Sequence, residues 1–451
     1  MIRPLPLLIA IALLLVARMV ARVTDAQLAR RNATLYVVAL LVLLAALQGF
    51  AHWFPPAASA NDMGLVLEWV SNDWHLTSPF VNLLVALLAI AMAPVQSHRP
   101  RTLGVILTVV ALAIAFVSTD QPIVLTVLWA ASIAVVGREL TRLNPGDSLC
   151  ARAFRRYQTI SVIALALGTI ALAAGYPMVG AGAWLLAIAV REASMPLHGW
   201  LPLVAERAPL GLFVAFVAPQ TGVYAQLTVC GELSGGSLAH VFAAVGAFTG
   251  ILAAGLGVVQ TSARRAAAWL VISQTGLIAF GLENTSEVGK AGAVLSWQVM
   301  ALATSGFVMT IAALEARRGE LSLRRPGGSF SRTPRMAVAF LLLGFASVAL
   351  PLTLGFVAED LLIQGSVDEY PLVGVAVILA TALNGINVMR CFSILFSGTR
   401  SHAGEQDLTR MEASAVTTIL AVLLLGGLWP RAFMISSTVH DPSNETQQHE
   451  H

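Results

Sequence analysis

Residues 179–202, VGAGAWLLAIAVREASMPLHGWLP, constrain this chain more than any other stretch. An apolar helix runs into Arg191 and Glu192, then into two prolines, Pro196 and Pro202, on either side of His198. A charge at membrane depth costs roughly 2.5–3.5 kcal/mol on insertion scales, so it usually faces a bundle interior or a water-filled path. Proline removes an amide donor and breaks a helix at a cost of about 3 kcal/mol or more. A membrane tolerates that only where protein or a hydrated cavity re-satisfies the backbone. Broken helices that carry ionisable groups are how ion pathways are built.

The surroundings are read as a membrane from composition. The chain is 57% hydrophobic and 11% charged, with a mean hydropathy of +0.78, where a soluble domain carries about 25% charged residues. A net charge of +3 without a basic tract gives no reason to expect a nucleic-acid partner. Cys150, Cys230 and Cys391 lie far apart and make no CxxC, so neither a metal or iron–sulfur site nor a disulfide framework is indicated. Lys290 is the only lysine, which leaves no Walker A motif, and neither a Rossmann fingerprint nor a haem-ligand pattern is present. No cofactor, no metal and no catalytic site of its own are expected.

Apolar runs of spanning length fall near 4–20, 34–53, 79–95, 102–118, 122–138, 158–175, 178–195, 209–230, 238–259, 266–282, 289–314, 336–357, 371–396 and 413–430, fourteen in all. The seventh is interrupted at Pro196 and Pro202, the twelfth around Pro351. If the N-terminus is outside and the helices alternate, every lysine and arginine except Arg3, Lys290 and Arg431 falls on the inner side, out of 27. One missed or invented helix would invert the pattern, so the charges support the count. The positive-inside rule then puts both termini outside the cytoplasm of a bacterial inner membrane. Arg18 and Arg22 follow the first run with no small-x-small cleavage site, which favours a retained helix over a signal peptide.

One transmembrane domain over 1–440 is expected, then a disordered polar tail over 441–451. The inner loop 317–335, basic with Pro326, Gly327 and Gly328, reads as a surface linker. The outer loop 54–78 could hold a hairpin or an interfacial helix.

Four groups of residues could carry chemistry. The first is Arg191, Glu192, His198 and Glu206, where His198 suits a proton relay; charges at a cytoplasmic helix end can equally snorkel. The second is LPLTLGFVAED over 350–360, where Pro351 and Gly355 break a helix ahead of Glu359 and Asp360. Adjacent carboxylates in low dielectric cannot both ionise cheaply, so one is expected to hold a proton; the pair could instead begin an outer loop. The third is Arg264 and Arg265 with Ser273 and Gln274, read as inner anchors followed by water-holding or interhelical polar groups. The fourth is Arg138 and Glu139, read as a solvated helix end, with Asn384, Asn387 and Arg390 left open. Trp184, Trp200 and Trp297 read as interface or packing residues. The broken helices lie five runs apart, an odd spacing that would set corresponding helices in opposite orientation, as in inverted repeats over about 102–230 and 238–396.

These motifs resemble the antiporter-like membrane subunits shared by respiratory complex I, Mrp-type cation/proton antiporters, membrane hydrogenases and DAB-type inorganic-carbon uptake complexes. The resemblance is carried by REASMPLHGWLP over 191–202, where the family tends to read K-S-A-x-x-P-x-H-x-W-L-P. RRAAAWLVISQTG over 264–276 and LPLTLGFVAED over 350–360 extend it. It implies fourteen helices, broken seventh and twelfth helices, and a proton- or Na+-translocating subunit working with other membrane and soluble subunits in the lipid bilayer. By position, Arg191 replaces the family's seventh-helix lysine, His198 matches its histidine, and Glu359 stands where the exit step is carried. The chain departs at Trp129-Ala130, which lacks the fifth-helix carboxylate, and near Ala215-Phe216 and Thr304, where the eighth- and eleventh-helix lysines are lost. An arginine hardly deprotonates, so Arg191 is expected to act as a fixed cation beside Glu192, with His198 and Gln274 supporting water. The missing fifth-helix carboxylate leans towards the carbon-uptake branch, whose membrane subunit energises a zinc-containing partner. Two other readings stay open: a structural anchor that has lost the path, and a stand-alone transporter for a small solute.

Overall fold

The computed structural model describes residues 4–53, 74–143, 148–219, 221–231, 236–328, 330–367, 371–398 and 406–433. The tail over 441–451 and most of the outer loop 54–78 lie outside them. Each apolar run is helical: α1 Pro4–Val20, α2 Ala26–Trp53, α3 Trp74–Ala91, α4 Pro100–Phe116, α5 Pro122–Leu143, α6 Ser148–Ala173 and α7 Pro177–Arg191. The chain continues through α8 Trp200–Arg207, α9 Leu210–Val217 and α10 Thr221–Ala225, then α11 Ser237–Val258 and α12 Ala263–Leu282. The last group is α13 Glu287–Val299, α14 Ser305–Arg318, α15 Pro334–Ala346, α16 Leu354–Val367, α17 Pro371–Phe396 and α18 Arg410–Leu428. Among the described residues nine helices are long and apolar enough to cross a membrane, and five shorter apolar helices accompany them. Two of the short ones, α7 and α15, are the interrupted runs, each continued beyond its break by α8 or α16.

Helices start earlier than hydropathy suggests where arginines lead. The second run begins at Ala26 and includes Arg30 and Arg31, and the sixth begins at Ser148 and includes Arg152, Arg155 and Arg156. Arginine is a good helix former whose charged head stays in water while its stem lies on the helix. The eighth run divides, which the hydropathy reading missed. Pro219 sits between α9 and α10, and α10 passes into a π-helical turn, Gln226–Cys230. A second π-helical turn, Met300–Thr304, joins α13 to α14.

α12 is buried along nearly its whole length, packed on α11, α13, α17 and α8. An apolar helix buried all round belongs to the centre of a bundle. Without a hydrophobic drive in lipid, helices associate through close packing of small residues. α13 and α16 show this: a Cβ on Gly365 would overlap the Gly289 backbone, and one on Gly292 would come 2.5 Å from the Leu362 amide nitrogen. Backbone cannot yield as a side-chain end can. Gly365→Val is therefore expected to push α16 off α13 and cost about 1–3 kcal/mol. The measurement is the thermal midpoint in detergent; an unchanged midpoint would show that the two helices do not depend on this approach.

The basic loop after α14 is docked rather than a loose linker. Ala263 N–H donates to Leu321 O at 3.1 Å and Leu323 N–H to Thr261 O at 2.8 Å. Arg317 pairs with Glu412 at 2.8 Å. Asp407 accepts from the Arg335 and Met336 amides at 2.9 and 3.0 Å, capping α15 from a distant loop.

On the same side, His98 in the turn between α3 and α4 is 1% exposed. Its Nε2 accepts from the Gly211 N–H at 3.1 Å, in the first turn of α9. Its Nδ1 lies 3.2 Å from Pro94 O. Burial, with Arg264 and Arg30 nearby, pushes the imidazole down to about 4, against a raising effect of the Pro94 bond. The ring is thus neutral in the fold and charges more easily in the unfolded chain. Its contribution of about 3 kcal/mol is complete above pH 6.5 and lost as pH falls from there towards 4. Denaturation midpoints in detergent between pH 7 and pH 4 are expected to fall accordingly, and the His98→Gln chain to show a flatter profile. Equal slopes in the two proteins would refute it.

Candidate functional site

The first break follows α7. Arg191 closes the helix and Glu192 caps it, with Ala193 in the left-handed region at φ 58°. Such a backbone costs of order 1–3 kcal/mol and persists only where the surroundings fix it. Here they do. Ser194 N–H donates to Ala189 O at 2.8 Å. Met195 N–H reaches Thr249 Oγ1 at 3.0 Å, Trp200 Nε1 reaches Val190 O at 2.9 Å, and Thr275 Oγ1 donates to Glu192 O at 3.0 Å. The freed backbone groups are met by protein, as the membrane requires.

The four residues grouped from sequence separate in space. Arg191 is 8% exposed and Glu192 4%. The Arg191 guanidinium lies between two rings, 4.6 Å from the Trp129 centroid and 4.3 Å from that of Phe216, and donates to Ser132 Oγ at 3.0 Å. Both Glu192 carboxylate oxygens are buried with no hydrogen-bond partner among the described residues, so the neighbouring charges are not bonded to each other. Adjacent helical positions point about 100° apart, which sends the two side chains to different neighbours. His198 is partly buried against Trp269, with ring centroids 5.2 Å apart. Glu206 corrects the grouping most: it pairs with Arg265 at 3.0 Å, one-third exposed, in an inner cleft of about 950 Å3 that also takes in His98, Arg264 and Glu315. Arg264 is more than an anchor. It pairs with Glu315 at 2.7 Å and donates to the carbonyls of Ala205 and Ala208, closing the end of α8.

Pro196 lies in the break, whereas Pro202 sits in the first turn of α8, where no intrahelical amide is needed. The second break runs from the end of α15 to Leu354, with Pro351 inside it and Ala349 and Leu352 left-handed at φ 60° and 71°. Gly355 lies beyond the break, in the first turn of α16, where a Cβ would overlap Ala346 O.

Glu359 and Asp360 also part. Asp360 is exposed and accepts from Gln364 Nε2 at 2.8 Å. Glu359 points inward to a cavity of about 50 Å3 shared with Gln274, Ser347, Thr381 and Asn384. A water needs about 10–15 Å3 of such volume, so the cavity takes a few. Gln274 belongs here rather than with His198: Nε2 donates to Ser347 O and Oε1 accepts from Thr304 Oγ1, each at 2.7 Å. Asn384 Nδ2 donates to Ser273 Oγ at 2.8 Å, while its Oδ1 is buried without a partner. Asn387 and Arg390 tie α17 to the start of α12 through the carbonyls of Ala266 and Gln260.

A void of about 10 Å3 lies among Phe213, Val217, Val271 and Met300, with Thr304 and Ser305 also in its wall. Besides Glu192 and Glu412, two more glutamates among the described residues are buried. Glu139 is 3% exposed, paired with Arg142 and accepting from Thr102 Oγ1 at 2.8 Å, so that helix end is not solvated. Glu283, 5% exposed, accepts from Gln226 Nε2. Glu283 stands just past the end of an apolar run in sequence, and packing encloses it. Among the described residues no group of three or more His, Cys, Asp or Glu side chains is placed to hold a metal.

A family model described as NADH:quinone oxidoreductase/Mrp antiporter, TM matches residues 154–384. The chain is 25% identical over 279 residues to NADH-quinone oxidoreductase subunit M of Mycobacterium tuberculosis, covering 59% of this chain and 50% of that protein. It is 29% identical over 264 residues to NAD(P)H-quinone oxidoreductase chain 4 of Gloeobacter violaceus, covering 55% and 50%. The chain thus spans about half the length of the curated relatives it matches. Among solved structures, a chain of respiratory complex I from Thermus thermophilus with bound NADH superposes with a TM-score of 0.80 at 18% identity, over 96% of this chain and 97% of that one. A chain of the Mrp complex from Dietzia sp. gives 0.80 at 17%, over 98% of each. At these identities the likeness is one of fold.

Proposed function

The chain belongs to the NADH:quinone oxidoreductase/Mrp antiporter transmembrane family, and we propose that it is a proton- or Na+-translocating membrane subunit of a multi-subunit complex. The observation that carries this reading is Glu359: a carboxylate on the second half of a broken helix, facing a small cavity that Gln274, Ser347, Thr381 and Asn384 help to line. Glu359 holds the ion. Gln274, Thr381 and Asn384 solvate it, and the Ser347 carbonyl, already engaged by Gln274, keeps the broken end of α15 fixed to the cavity. Asp360 has no part in the path. Arg191 is a permanent positive charge near Glu192 and carries no proton itself.

The chain is taken to lie in a bacterial inner membrane with both termini outside the cytoplasm, supported by the arginine bias of the loops. The two halves, about 102–230 and 238–396, are taken as inverted repeats, supported by matching breaks with left-handed residues at Ala193 and at Ala349 and Leu352. Other membrane and soluble subunits supply or use the driving reaction.

A second reading, a structural anchor without a working path, is favoured by the absence of a carboxylate at Trp129-Ala130 and of a lysine near Thr304. Cation flux of the Glu359→Gln chain, assembled with its partner subunits in proteoliposomes, separates the two. The translocating subunit loses flux; the anchor is indifferent.

A further inference from the structure

Glu192 poses a problem of access. Its carboxylate is buried without a hydrogen-bond donor among the described residues. Buried polar atoms lacking a protein partner are where ordered water sits. Such atoms do not stop at Glu192. They continue through Thr221 Oγ1, Gln226 Oε1 and Asn284 Oδ1.

Three observations place these groups in order. Gly222 brings α10 against Glu192, so closely that a Cβ there would overlap Oε1. Gln226, four residues on and so one turn along the same face, opens the π-helical turn and is 2% exposed. Its Nε2 donates to Glu283 Oε1. Thr275, bonded to the Glu192 carbonyl, marks the level of Glu192 on α12. Glu283 lies eight residues further, about 12 Å along the axis at 1.5 Å per residue. The π-helical turn that Gln226 opens sets its amide on the Glu283 carboxylate.

We propose that Glu192 exchanges protons with the membrane face at the α12 C-terminus through Gln226 and Glu283, a branch separate from Glu359. The proton leaves the Glu192 carboxyl, crosses bridging water beside Gln226, and is taken up by the Glu283 carboxylate. This rests on the translocation reading only for its purpose, because protonation can be measured without transport.

The experiment is infrared difference spectroscopy on the full chain with its partner subunits, reconstituted in one orientation. It follows the protonated-carboxyl band after a pH step on one face, the Glu192 share being what Glu192→Gln removes. A step on the face of the α12 C-terminus is expected to move the Glu192 band in the wild type, and about tenfold or more slowly in Glu283→Gln and in Gln226→Leu. Should Glu283→Gln not assemble, Gln226→Leu alone decides. An unchanged rate in the assembled variants, or a band that answers only the opposite face, overturns the branch. A normal band with no ion flux in the same vesicles would instead sink the translocation reading and leave the branch standing.

Discussion

Flux through the assembled complex is expected to fall on the order of a hundredfold when Glu359 becomes Gln, the scale lost with a positioned proton-transfer group. Glutamine matches glutamate in shape and still hydrogen-bonds, so the cavity with Thr381 and Asn384 is kept and only the titratable group is lost. Asp360→Asn is the paired control: that side chain is exposed and bonded to Gln364 on another face of α16, so its flux is expected to match the wild type. Proton or Na+ uptake in proteoliposomes, with assembly checked by size-exclusion chromatography, gives the result. Wild-type flux in Glu359→Gln would remove the assignment. A loss as large in Asp360→Asn would place the path on the wrong face.

The second large effect has the opposite sign on stability and on function. Arg191→Leu is expected to raise the thermal midpoint, because the guanidinium is buried with no carboxylate bonded to it. Burying an ion costs several kcal/mol. Against that stand one bond to the Ser132 hydroxyl and the faces of Trp129 and Phe216, the rings worth about 2 kcal/mol when desolvated. No carboxylate bonds the guanidinium to complete the compensation, since both Glu192 oxygens lack a hydrogen-bond partner. A leucine would sit among apolar neighbours. The same change removes the positive charge beside Glu192, so flux is expected to drop while the protein becomes harder to unfold. A midpoint lowered in Arg191→Leu would mean that the rings and Ser132 more than offset the burial.

Composition and proline placement made the apolar helices and both breaks legible. These are local signals: proline denies an amide wherever it falls, and an apolar run of spanning length needs no partner to be recognised. The family motifs at 191–202, 264–276 and 350–360 were equally local, and the match over 154–384 agrees with them. Pro219 was a similar signal within the eighth run, passed over because the hydropathy on either side is continuous.

The assignment of side chains to sites was another matter. Arg191 and Glu192 are neighbours in the chain whose side chains face different surroundings; so are Glu359 and Asp360. Gln274 and Glu359, far apart in sequence, share one cavity. Glu139 reads as a helix end near solvent and is enclosed, as is Glu283, which no motif marked. Sequence by itself determined where most helices run and where two of them break, because those follow from backbone donors and from the cost of polar groups in lipid. Only tertiary structure decided which ionisable groups meet, because a helix turns each successive residue by about 100° and the neighbour it then faces is set by packing from remote segments.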